Sequence, residues 1–129
     1  MTTNKSIILP ELSFKIMGAL FAVHNELGST MLEKHYQRAV AKELKNQRLS
    51  FEQEIPVDLF YKGESIGKYV LDFIVENKII IETKAQKSYD KKFFRQALAY
   101  LQTAHLPLAI LVNFQAPRLE YKRIINYSH

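Results

Sequence analysis

The chain has 129 residues, 47% hydrophobic and 24% charged, enough for one hydrophobic core but with little room for a second module. It has no cysteine, hence no disulfides and no thiolate ligands or nucleophiles, and no apolar run approaches the roughly 18 residues of a membrane span. A formal net charge of +5 favours anionic partners such as nucleic acid, and the run Ile7-Ile8-Leu9 is cut by Pro10 and Glu11, too short for a signal-peptide core. The expectation is therefore a single cytoplasmic domain over residues 1–129 with no membrane association.

From Glu11 to Leu27, the residues Leu12, Ile16, Ala19, Leu20, Val23 and Leu27 recur at helical spacing, and Gly28 stands where a helix stops. His24, one position off that stripe, reads as a partly buried histidine with a local hydrogen bond rather than a catalytic one. A second helix is expected from Ser29-Thr30 to Gln47, with Leu32, Tyr36, Ala39, Val40 and Leu44 as its apolar face. Its start, Thr30-x-x-Glu33, fits a capping box, which by itself would explain Glu33.

Alternation from Phe51 to Tyr61 predicts a strand that Pro56 confines to a sheet edge or a bulge, and Lys62 to Ser65 read as a turn. Two β-branched and aromatic runs follow, Tyr69–Val75 and Ile79–Lys84, around Glu76-Asn77-Lys78: a hairpin. Three consecutive isoleucines place apolar groups on both faces, so the second of these strands is expected inside the sheet. A third helix over about Tyr89 to Ala104 would offer Phe93, Phe94, Ala97, Leu98 and Leu101 to the core. Leu108 to Phe114, apolar on both faces after Pro107, would join the sheet through a crossover, and Arg118 to Asn126 a last short strand. The order α-α-β-β-β-α-β, with that short strand to follow, predicts an α/β fold: one mixed sheet flanked by helices.

Asp72, Glu82 and Lys84 lie inside these apolar strands, where carboxylates are seldom buried without a partner. Glu82 and Lys84, two apart, share a face. Asp72 joins them if Val75 pairs with Ile79 across a three-residue loop, since partners then sum to 154 and Asp72 stands opposite Glu82; a two-residue loop at Glu76-Asn77 would send it to the other face. Two opposed carboxylates need a divalent cation, a shared proton or Lys84 between them. Oxygen donors without thiols point to Mg²⁺ or Mn²⁺ rather than zinc. Such a metal beside a lysine suits phosphodiester hydrolysis. The bland alternative is a solvated Glu82–Lys84 pair with Asp72 at a bend. A basic stretch of Lys87, Lys91, Lys92 and Arg95, interleaved with Tyr89, Phe93 and Phe94, offers a phosphate backbone its counter-charge, and Gln96 and Tyr100, four apart on one helical face, could brace the site.

Glu33, Asp72, Glu82-Thr83-Lys84 and Gln96-x-x-x-Tyr100, in this order and spacing, resemble the PD-(D/E)xK nuclease superfamily. Within it the chain is similar to the small proteins named for a GxxExxY motif, through Val23-His24-Asn25-Glu26-Leu27-Gly28, Leu32-Glu33-Lys34-His35-Tyr36 and Leu111-Val112-Asn113-Phe114. The likeness runs from about Phe14 to Ile125. Thr30 stands at the naming glycine, and Leu71 where the superfamily's naming proline precedes Asp72. The resemblance implies a restriction-endonuclease-like core and Mg²⁺-dependent cleavage of nucleic acid, DNA first. It implies Asp72, Glu82 and the Thr83 carbonyl as metal ligands, Lys84 as the catalytic lysine, Glu33 as an accessory acid acting through water, and Gln96 with Tyr100 in support. With no obvious separate recognition module, weak sequence preference, structure specificity or targeting by a partner protein is expected, a homodimer being one version. The competing expectation is a nucleic-acid-binding or adaptor module that keeps the fold without efficient cleavage.

Overall fold

The computed structural model describes residues 8–87 and 90–127; Tyr89 lies outside the described residues. Its elements are α1 (Pro10–Leu27), α2 (Glu33–Asn46), β1 (Phe51–Tyr61), β2 (Glu64–Val75), β3 (Ile79–Lys84), α3 (Lys91–Ala104), β4 (Leu108–Asn113) and β5 (Glu120–Ile125). The strands form one sheet in sequence order, so β3 is its centre and β1 an edge, as Pro56 requires. All pairs are antiparallel except β3 with β4, which α3 joins as a crossover.

The helices divide between the two faces. Ile16, Leu20 and Val23 of α1 and Tyr36, Val40 and Leu44 of α2 pack on Phe73, Val75, Ile79, Ile81, Ile110 and Val112. Ala97 and Leu101 of α3 pack on Leu71, Ile80 and Ala109. No helix among the described residues is long and apolar enough to cross a membrane.

Four expectations need correcting. α2 begins at Glu33, not at Thr30, so Glu33 is its first residue and the Thr30–Glu33 capping box does not exist. The loop before it is tied instead by Tyr36, whose hydroxyl donates to the Gly28 carbonyl (2.6 Å) and accepts from the Met31 amide (3.2 Å). On α3 the core stripe is narrower: Phe93, Ala97 and Leu101 are buried, Phe94 only partly and Leu98 exposed. β2 starts at Glu64, because Lys62 and Gly63 both take positive φ and turn the chain in two residues. Finally, the bond made by His24 is not local. Its Nε2 donates to the Ala116 carbonyl (2.9 Å), tying α1 to the segment after β4.

Candidate active site

Val75 pairs with Ile79 across Glu76-Asn77-Lys78, and Ile74↔Ile80 and Phe73↔Ile81 continue the register whose partners sum to 154. Glu76 and Asn77 both have φ of 55°, and the Lys78 amide donates to the Val75 carbonyl at 3.0 Å. The tight turn is therefore of the left-handed kind, with Lys78 as a third loop residue.

The ladder ends at Phe73↔Ile81, one rung before Asp72 and Glu82 would pair. On the other side of β2, Gln53↔Phe73 and Ile55↔Leu71 are rungs, but Glu54, opposite Asp72, makes none and has φ of 52°. The pleat reverses there. Phe73 and Val75 face α1 and α2, whereas Leu71, of the same parity, faces α3; on β1, Phe51 and Ile55 differ in the same way. A bulge of this kind releases backbone groups and re-aims side chains.

The freed groups are taken up by the carboxylates. Glu82 Oε2 accepts from the Asp72 amide (2.9 Å), while Asp72 Oδ2 accepts from the Thr83 amide (2.8 Å) and from Thr83 Oγ1 (2.8 Å). The Thr83 carbonyl points to the same side of β3 as its amide, into the gap between β2 and β3. Among the described residues, Asp72 Oδ1 and Glu82 Oε1 accept no hydrogen bond, and neither is shut off from solvent. Each carboxylate thus keeps one oxygen without a donor at the broken rung.

Glu82 is 4% exposed. Burial, then the neighbouring Asp72 charge, push its carboxyl up to about 8, against the Asp72 amide and Lys84, which favour the ionised form. Glu33, half-buried at the first turn of α2, is also raised, first by burial and then by Asp72, with Lys84 and the Ala85 amide opposing. The Tyr100 hydroxyl is pushed up to about 12, first by burial and then by the Glu82 and Asp72 charges, and its ring packs against Tyr69 at 4.5 Å. The structure therefore brings together Glu33, Asp72, Glu82, Thr83, Lys84 and Tyr100.

Lys84 lies on the Glu82 face of β3, its Nζ 4.6 Å from the centre of the Phe93 ring on α3. Gln96 is exposed one turn before Tyr100, and Lys87, Lys91, Lys92 and Arg95 are exposed around the start of α3, where Asp90 caps the helix by accepting from the Lys92 amide (3.0 Å). The exit from β3 is fixed by buried Asn113, which accepts from the Gln86 amide (3.0 Å) and donates to its carbonyl (2.9 Å).

One residue escaped the sequence reading. Gln37 Nε2 donates to Thr83 Oγ1 (2.9 Å) and lies 3.5 Å from Glu33 Oε2, so that hydrogen bonds run from Gln37 through Thr83 to Asp72. Its spacing of four from Glu33 was the available signal.

Among the described residues no three His, Cys, Asp or Glu side chains are grouped to hold a metal. Mg²⁺ needs only one or two carboxylates, waters completing its shell. Asp72, Glu82 and the Thr83 carbonyl are hard oxygen donors of the kind Mg²⁺ takes, and a cation there would offset the burial and the Asp72 charge that push the Glu82 carboxyl up.

A mixed sheet, helices on both faces and two carboxylates at a broken rung are the features of a nuclease-like α/β domain. The chain belongs to the PD-(D/E)XK nuclease superfamily, whose profile matches residues 10–124. Among solved structures, that of SSO0001 is similar, with a TM-score of 0.60 at 20% identity over 88% of this chain and 60% of that one. The chain thus spans about three-fifths of that protein, and the likeness supports the restriction-endonuclease-like fold alone. No curated protein matches the chain.

Proposed function

We propose that the protein is a metal-dependent nuclease that hydrolyses phosphodiester bonds of DNA. The observation that supports this best is the missing Asp72–Glu82 rung, which leaves one free oxygen on each carboxylate beside the Thr83 carbonyl. Asp72, Glu82 and Thr83 would hold Mg²⁺ or Mn²⁺, with Glu33 reaching it through water. A bound cation supplies charge neutralisation on the phosphate and a more acidic water. The chain's own groups do the rest. Lys84, steadied over Phe93, orients the attacking water or donates to a phosphate oxygen. Gln37 and Thr83 fix Asp72, Tyr100 lines the carboxylates in its neutral form with Gln96 a turn away, and Lys87, Lys91, Lys92 and Arg95 take the phosphate backbone.

A second reading, nucleic-acid binding without efficient cleavage, is favoured by one feature: Asp72 and Glu82 each already accept a backbone amide and need no metal to be held. Incubating the protein with supercoiled plasmid and branched DNA, with Mg²⁺, Mn²⁺ or chelator, separates the two. Cleavage that requires metal and disappears in both Asp72→Ala and Glu82→Ala supports the nuclease. Binding without cleavage supports the module, and cleavage unchanged in both variants removes this site from consideration.

A further inference from the structure

α2 carries a basic row that starts at the rim of the acidic site. Lys34, Arg38, Lys42 and Lys45 are all exposed, and spacings of four, four and three align them along the helix. At about 100° per residue they lie about 100–180° round from Glu33, on the side of Gln37 at about 40°, while the buried Tyr36, Val40 and Leu44 centre on the other side of Glu33. The row therefore lies on the outward face of α2, beyond Gln37 and about 150° round from the buried side, and it meets the site only at the Lys34 end of the helix, next to Glu33. Neither carboxylate of α2 interrupts it: Glu33 faces the site, and Glu43 lies on the opposite flank.

A solvated helix face ordinarily mixes its charges. α1, packed beside α2, does so with exposed Glu11, Lys15 and Glu26. Like charges four apart weaken a helix, and a cation in its first turn opposes the dipole, so helix stability alone does not favour this row.

We propose that the α2 row is a second nucleic-acid track. It takes the phosphate backbone of a DNA duplex as it leaves the site along α2, while the cations at the start of α3 hold the duplex across the sheet. The inference rests on the nuclease reading. From Lys34 to Lys45 the helix rises about 16 Å, the length of about five phosphate steps of one duplex strand.

The test compares wild type with K34Q/R38Q/K42Q/K45Q and with a control of equal charge loss elsewhere, K15Q/K62Q/K68Q/K78Q, binding one duplex in Ca²⁺ across a salt series. Glutamine keeps helix propensity, and thermal unfolding checks the fold. The track requires the α2 variant to lose about tenfold or more in affinity and its log–log salt slope to fall by roughly one per cation removed, with the control far less affected. Equal losses in both variants reduce the effect to net charge and overturn the track. An unchanged slope in the α2 variant, with wild-type Mg²⁺-dependent cleavage intact, overturns the track and leaves the nuclease reading standing. A changed slope without cleavage by wild type in any metal keeps the track and removes the catalytic reading, whereas absence of any DNA binding removes both.

Discussion

Glu82 Oε2 accepts the amide of Asp72 at 2.9 Å, so a side chain stands where the β2–β3 ladder should have its next rung. Asp72 does the same for the amide of Thr83 on β3 at 2.8 Å. Each carboxylate is both a piece of the sheet's hydrogen bonding and a candidate ligand, and the two roles separate by mutation.

Asp72→Ala strips the acceptor from the amide and the hydroxyl of Thr83, a residue with no exposed surface, and should cost about 1–3 kcal/mol. Asp72→Asn keeps one acceptor oxygen and should recover much of that loss. Glu82→Gln keeps the acceptor for the Asp72 amide but removes the burden of a buried charge, so at pH 8 in chelator its stability should equal or exceed that of wild type. All three should abolish metal-dependent cleavage. Thermal unfolding in chelator beside plasmid nicking checks both halves, and a strong destabilisation by Glu82→Gln at pH 8 would contradict the account of Glu82.

Stability of the metal-free protein should fall as pH rises. A carboxyl at about 8 in the folded state, against 4.5 unfolded, makes the native state the one that holds the proton. Its contribution is full below the unfolded value and is lost through about 8, by an amount on the order of a few kcal/mol. Glu33, also raised, acts in the same direction. Glu76, lowered by its hydrogen bonds with Ser50, acts oppositely, but its contribution is lost only as pH falls through the acid range. Unfolding temperatures between pH 5.5 and 9 should therefore decline in chelator, less steeply in Glu82→Gln, and Mg²⁺ should stabilise more at pH 8.5 than at pH 6. A rise across that range in chelator would be incompatible with a buried, protonated Glu82.

Gln37→Ala should leave the fold largely intact and lower cleavage about tenfold, because it removes the donor to Thr83 Oγ1 that steadies Asp72, together with a longer bond to Glu33. Gln37→Glu should be worse than alanine: it faces the same oxygen without a donor and adds a like charge beside Glu33. Equal activity in wild type and both variants would show that the Gln37–Thr83–Asp72 chain does not position the carboxylate.

Much of this arrangement was legible in the sequence, and the reasons are specific. Three isoleucines in a row marked β3 as interior, and a two-residue spacing put Glu82 and Lys84 on one face. The odd-numbered loop was required for Asp72 to meet Glu82, and it is present. What parity could not show is the break itself. It depends on a positive φ at Glu54, a residue type that gives no sign of adopting one. Thr30-x-x-Glu33 misled because a local capping pattern was outcompeted by a tertiary contact, the Tyr36 hydroxyl reaching back to Gly28. With the capping box gone, Glu33 is a half-buried first-turn carboxylate near Gln37 and the Ala85 amide that also senses Asp72 and Lys84.

That contact supports the last prediction. Tyr36 is fully buried, its ring stacked on Phe114 at 4.5 Å and 5°, and its hydroxyl holds both Gly28 and Met31. Tyr36→Phe keeps the stack and leaves the Gly28 carbonyl and Met31 amide without their partner, at a cost of about 1–2 kcal/mol. The segment it loosens, residues 28–32, sets where α2 begins and so where Glu33 sits against Asp72. The loss should therefore show in chemistry more than in DNA affinity: kcat down about tenfold, KM for DNA nearly unchanged, and more Mg²⁺ needed for half-maximal rate. Tyr36→Phe with the expected loss of stability but an unaltered kcat and metal requirement would mean that Glu33 does not depend on this anchor.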